Sequence, residues 1–99
     1  MNLYFFTPEA SRDLEEIHDY IAEENLNAAI NLMNLVEEKC QLIAQFPEMG
    51  RKREELTVAL RSFSVGNYVV FYRIHQNNIQ VIRILNGACD IETIFEEED

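Results

Sequence analysis

Apolar and polar positions alternate with two different periods along these 99 residues. From residue 8 to residue 46 the apolar positions recur every three or four residues. From residue 60 to residue 86 they crowd into runs rich in β-branched and aromatic side chains. The first pattern belongs to amphipathic helices, the second to strands. A short aromatic run, NLYFF at 2–6, comes before both and predicts a strand that stops at Thr7-Pro8. Thr7 is placed to cap a helix, with proline at the first helical position and Glu9 beside the positive end of the dipole. Ala10, Leu14, Ile17 and Ile21 then mark one face. Glu15, Glu16, Asp19 and Glu23 mark the other, to an end near Glu24.

Asn25 or Asn27 caps a second helix after a short turn, so the two helices lie antiparallel as a hairpin. Its apolar stripe runs through Ala29, Leu32, Met33, Val36, Cys40 and Ile43. Leu35, Leu42 and Phe46 broaden it enough to touch both the first helix and a sheet. Phe46-Pro47 ends the helix, because a residue before proline is pushed out of helical space. PEMGRKREE, 47–55, reads as a loop, and 60–65, 67–75 and 79–86 read as strands.

The strand breaks fall at Gly66 and at Asn77-Asn78, where asparagine tolerates the positive φ of a tight turn. A turn on Asn77-Asn78 pairs Gln76 with Ile79 and sets Tyr72 opposite Arg83. One face of the sheet then carries Tyr68, Val70, Tyr72, Ile74, Val81, Arg83 and Leu85. The other carries Val69, Phe71, Arg73, His75, Ile82, Ile84 and Asn86. Both are apolar enough that a helical hairpin cannot cover the whole sheet, which points to a binding surface for another protein or a second copy. Beyond Gly87, DIETIFEEED predicts a short C-terminal helix capped by Asp90 and fading into an acidic tail. The order is β-α-α-β-β-β: an α+β fold with an antiparallel helical hairpin on a mainly antiparallel sheet, in one domain over 1–99.

Charge sharpens the picture. The net charge is −10, which argues against direct nucleic-acid binding. Its distribution is uneven: residues 1–48 hold ten acids and two bases, 49–89 two acids and six bases, and 90–99 six acids and no base. The six bases of the middle segment, Arg51, Lys52, Arg53, Arg61, Arg73 and Arg83, are the candidate partner-binding residues, together with Asn86. The blander account of the strand arginines is that each pairs with a neighbouring glutamate or lays its stem across apolar surface. Arg51–Arg53 precede Glu54 and Glu55 directly, which also suits a solvated cluster. Cys40 falls in the apolar stripe and reads as packing. Cys89 has no adjacent base to activate it. His18 borders the core face and His75 closes a strand, neither with a metal ligand at the right spacing. No cofactor or metal site is expected. The N-terminus has neither a basic region nor a long apolar segment, so a soluble cytoplasmic protein with reduced cysteines is the expectation.

The strings TPEASRDLEEIHDYIAEENLNAAINL, FPEMGRKREEL, LRSFSVGNYVVFYRI and IQVIRILNGACDIETIF, in this order, resemble the RelE/ParE superfamily of bacterial toxin–antitoxin toxins, and the ParE branch in particular. Where that branch has His-Gly-Ala-Arg-Asp at the end of its last strand, this chain has Asn86-Gly87-Ala88-Cys89-Asp90. The ribosome-dependent ribonucleases of the superfamily use lysines, arginines and a terminal aromatic or histidine. Their positions here hold Thr57, Ala59, Val69, Cys89 and Phe95. Valine and phenylalanine neither bind phosphate nor move protons, so the resemblance implies a non-enzymatic, ParE-like toxin that acts by protein contact on DNA gyrase. It also implies a cognate antitoxin whose flexible segment wraps the toxin, as a hetero-oligomer or with a toxin dimer. The alternatives are a RelE-type mRNA endoribonuclease with a rearranged site and a non-toxic member that serves only as a binding partner.

Overall fold

The structure is a computed structural model and describes residues 2–98. Thr7 joins the first strand, β1 (Tyr4–Phe6), to the first helix, α1 (Pro8–Ala22), and its side chain makes both connections. The hydroxyl oxygen accepts from the Ala10 amide at 3.1 Å, which caps the helix, and donates to the Ile82 carbonyl at 3.0 Å, which ties the helix start to the sheet. Asn25, not Asn27, caps α2 (Leu26–Gln45) by accepting from the Ala28 amide at 3.0 Å. Phe46 ends α2 outside helical space, as the following proline requires.

The sheet has five strands in the order β1-β5-β4-β3-β2, with β2 at Arg51–Lys52, β3 at Arg61–Val65, β4 at Tyr68–His75 and β5 at Asn78–Asn86. Among the described residues the only parallel pair is β1 with β5, in the register Tyr4↔Ile79. The expected α+β order and the helical hairpin are present, and α3 (Ile91–Glu98) is the expected C-terminal helix. Asp90 caps it, accepting from the Thr93 amide at 3.3 Å and the Thr93 hydroxyl at 2.7 Å, bonds that hold its carboxyl below the usual range.

Three expectations need correction. Residues 47–55 are not simply a loop: Pro47–Met49 form one 3-10 turn, and Arg51–Lys52 pair antiparallel with Ser62 and Arg61 as edge strand β2. The β4–β5 turn sits on Gln76-Asn77, at φ 51° and 67°, one residue earlier than expected, so His75 pairs with Asn78 and Tyr72 faces Val81. A bulge at Ile82 then shifts the ladder so that Phe71 faces Arg83. The extra residue changes the parity of β5, and Ile84 joins the helical side while Leu85 joins the other.

The third correction concerns the second sheet face, which the chain covers itself. Leu60, Phe71, Leu85 and Phe95 form a buried cluster there, with Leu56, Ile91 and Ile94 against it. Phe95 meets Phe71 edge-on at 4.9 Å between ring centres. On the helical face Ala10, Val36, Cys40 and Ile43 pack on Val70, Tyr72 and Val81. Of the broad α2 stripe, Leu35, Leu42 and Phe46 remain exposed.

Candidate partner-docking surface

The segment between α2 and β3 has little regular structure, and three side chains fix its course. Tyr72, fully buried by its ring, donates its hydroxyl to the Pro47 carbonyl at 2.6 Å and accepts from the Gly50 amide at 3.0 Å. Burial pushes its hydroxyl pKa up, only partly offset by the Gly50 amide and the Arg61 charge. Arg61 approaches the same turn, donating from Nη1 to the Glu48 and Gly50 carbonyls, each at 2.8 Å. Gly50 is required by this crowding and not by its backbone angles, since a Cβ there would overlap the Tyr72 hydroxyl and ring. The turn is thereby locked to the sheet from both sides.

The other arginines of β3–β5 and their flanks are also engaged. Arg73 donates to the Val58 carbonyl and the Thr57 hydroxyl, both at 3.2 Å, and so holds the 53–60 connection. Arg53 is half-buried: it bonds Glu55 at 2.9 Å and Ser62 at 3.3 Å, and its guanidinium lies 5.3 Å from the Phe71 ring centre. The Arg53 bond, first among several causes, holds the Glu55 carboxyl below its usual range. Arg83 grips Asp13 of α1 at 2.6 and 3.0 Å, and the same carboxylate accepts from the Ile84 amide at 3.0 Å. Asn86 accepts from the Ala88 amide at 2.9 Å, shaping the turn into α3. Of the seven candidates, Arg51, Lys52, Arg53, Arg61 and Arg73 gather along the β2–β3–β4 end of the sheet. Arg83 and Asn86 lie apart from them, beside α1.

Arg51 and Lys52 are exposed on β2. Arg51 borders a groove of about 420 Å³ between α2 and the β2–β3 edge, whereas Lys52, next along the strand, lines a separate hollow with Arg61 and Ile74. Leu42, Ile43, Met49, Phe63 and Val69 supply the groove's apolar lining, and Lys39, Arg51 and Arg53 its charge. Among the described residues no carboxylate lines the groove, on a chain whose net charge is −10. An adjoining hollow of about 720 Å³ opens around Phe46, Met49 and Ile74, all exposed. An apolar trough with a cationic rim fits an amphipathic acidic segment.

Of the expected nuclease positions, Thr57 and Phe95 hold side chains already engaged in the fold. Phe95 is buried against Phe71, and Thr57 accepts from Arg73. His18 sits 3.1 Å from Asp19, and no cluster of three metal-ligating side chains occurs among the described residues. Cys40 is buried, and desolvation, then the Glu37 charge, pushes its thiol up to about 12; Cys89 is exposed. No helix among the described residues is long and apolar enough to cross a membrane.

Sequence reasoning missed Tyr72, Asp13 and Ser62. Tyr72 read as one more apolar strand position. Its only signal was Gly50 upstream, a glycine at a position that needs no positive φ.

A sequence model described as "ParE toxin of type II toxin-antitoxin system, parDE" matches residues 4–91. The chain is 31% identical to Toxin ParE3 of Caulobacter vibrioides over 86% of either chain, and 29% identical to Toxin ParE1 of the same organism over 91% of this chain and 94% of that one. Toxin RelE3 of that organism is 27% identical over 78% of this chain and 85% of its own length. Among solved structures, "Chromosomal ParDE TA system from P. aeruginosa" superposes with a TM-score of 0.72 at 21% identity, over 87% of this chain and 96% of that one, which supports the fold.

Proposed function

Since the chain belongs to the ParE toxin family of type II toxin–antitoxin systems, we propose that it poisons DNA gyrase in the cytoplasm by direct protein contact, without catalysis. We read the groove between α2 and β2–β3 as the seat of a cognate antitoxin segment that keeps it silent. The continuous match to the ParE family over residues 4–91 carries the target. The cation-rimmed apolar groove supports the antitoxin contact. Purified chain is added to a gyrase supercoiling assay with relaxed plasmid. Inhibition that grows with dose and is reversed by the antitoxin is the expected result; full supercoiling at high molar excess overturns the target assignment.

A second reading, ribosome-dependent mRNA cleavage, draws on the similarity to Toxin RelE3. Against it stand Thr57, Ala59, Val69, Cys89 and Phe95, of which Phe95 is sealed in a core cluster. Cleavage of a defined message on ribosomes, lost on Arg73→Ala in a folded variant, would replace the gyrase reading with this one.

A further inference from the structure

The two edges of the sheet differ in charge. At one, β2 presents Arg51 and Lys52, so two copies meeting there would set like charges opposite each other. At the other, β1 has no charged residue from Asn2 to Pro8, and the neighbouring β4–β5 turn has none from Gln76 to Ile82. In a chain that is 26% charged with a net charge of −10, this is an uncharged margin. It also carries exposed apolar side chains: Leu3 is 48% and Phe5 52% accessible. Sheet edges are ordinarily guarded by lysines, bulges, proline within the strand or shortness, and Tyr4–Phe6, at three residues, has only the last.

The backbone points the same way. The Leu3 carbonyl accepts from the Ile79 amide at 3.0 Å, and the Thr7 amide donates to the Val81 carbonyl at 3.0 Å. Leu3, Phe5 and Thr7 therefore turn their backbone groups toward β5, and strand alternation turns those of Tyr4 and Phe6 outward. We propose that β1 pairs antiparallel with β1 of a second copy about a two-fold axis at Phe5, joining two five-stranded sheets into one. Tyr4 and Phe6 of one copy exchange amide–carbonyl bonds with Phe6 and Tyr4 of the other. Phe5 stands opposite its own symmetry mate in a non-hydrogen-bonded pair, where the Cα atoms approach to about 4.5 Å. The contact is short, so the dimer is of the weak, transient class. The α2 groove lies across the sheet at the β2 edge and stays open in this arrangement.

Electrostatics gives the pairing a signature. Each chain repels its copy through its net charge, while the contact itself is neutral, so salt strengthens the dimer by screening. A head-to-tail contact of acidic helices on the basic edge would weaken with salt instead. The test is sedimentation equilibrium of the free chain, at up to about 0.5 mM as a weak interface requires, in about 0.05 M and 0.5 M salt. A mass rising from 11.6 kDa toward twice that value, more readily at high salt, is expected. Phe5→Lys and Phe5→Glu, both checked for native circular dichroism, each abolish the dimer, and an equimolar mixture of the two restores it as a heterodimer. Should either variant fail to fold, Leu3→Lys and Leu3→Glu take the same test at the flank of the pair. A wild-type chain that stays monomeric throughout overturns the proposal, as does a dimer that weakens with salt or survives both charge substitutions.

Discussion

Tyr72→Phe removes one oxygen and two hydrogen bonds from a buried site, leaving the ring in place. The Gly50 amide loses its acceptor in a buried position, and the Pro47 carbonyl loses its donor. A typical hydrogen bond contributes about 1 kcal/mol net, and an amide left unsatisfied in a buried site costs about 1–3 kcal/mol. The carbonyl is half-buried and water satisfies it in part, so the sum is about 2–3 kcal/mol. In a domain of this size each kcal/mol lowers Tm by about 4–8 °C, which predicts a drop of about 10–20 °C. Urea unfolding followed by circular dichroism measures it, with an unchanged m-value showing that the folded state remains compact. Because Arg61 holds the same turn, Tyr72→Phe and Arg61→Gln should couple by at least about 0.5 kcal/mol in a double-mutant cycle. A single-variant loss under about 0.5 kcal/mol, with additive behaviour in the cycle, would refute the idea that the hydroxyl anchors the turn. The titration adds an independent check. Burial raises the folded-state pKa above 10.0, so the unfolded chain releases this proton first as pH rises. Stability from this group is complete below pH 10 and falls above it, and Tyr72→Phe should flatten that fall.

Gly50→Ala should cost about 2 kcal/mol or more, because the ring carbons of Tyr72 at 2.7 and 2.8 Å block a Cβ even when the hydroxyl is absent; thermal melts of Gly50→Ala alone and with Tyr72→Phe check it. Cys40, raised from 9.0 to about 12, should make stability fall between pH 9 and 12 at up to about 1.4 kcal/mol per pH unit, and Cys40→Ala should lower the starting stability but remove that slope. In the native chain at pH 8 a thiol reagent should modify one cysteine, Cys89, and two only after unfolding. Ala59 has a left-handed backbone at φ 60°, so Ala59→Gly should be neutral or stabilising by up to about 1 kcal/mol, in contrast to glycine elsewhere in the domain.

The elements were legible because each rests on local chemistry. Thr7-Pro8, Asn25, Phe46-Pro47 and Asp90 mark helix ends through bonds or clashes within a few residues, and the structure uses all four. The position of β1 was not legible, because periodicity says that a strand exists and not which strand it joins. The β4–β5 register failed for a related reason. Gln76 carries the first positive φ of the turn, although its side chain signals this less than asparagine does, and the bulge at Ile82 leaves no mark in an unbroken apolar run. The basic cluster was legible as composition, but its division of labour depends on backbone carbonyls that the fold brings within reach of Arg61 and Arg73.

That division yields a prediction that separates docking from folding. Arg61 and Arg73 spend their donors on the 47–60 connection, which forms one wall of the groove, whereas Arg51 and Lys52 project from the edge. Charge reversal of the exposed pair, Arg51→Glu with Lys52→Glu, should leave Tm within a few degrees, since exposed charges contribute little to stability. It should slow association with an acidic antitoxin segment about tenfold or more at low salt, and the deficit should shrink as salt is raised. Arg61→Gln and Arg73→Gln should do the reverse: Tm falls, and the salt dependence of association changes little in chains that remain folded. Stopped-flow association across a salt series, paired with thermal melts, distinguishes the two classes. If Arg51→Glu/Lys52→Glu binds the antitoxin at the wild-type rate at every salt concentration, the exposed pair on β2 does not recruit the partner, and recruitment must come from Lys39, Arg53 and the apolar lining around Leu42 and Phe63.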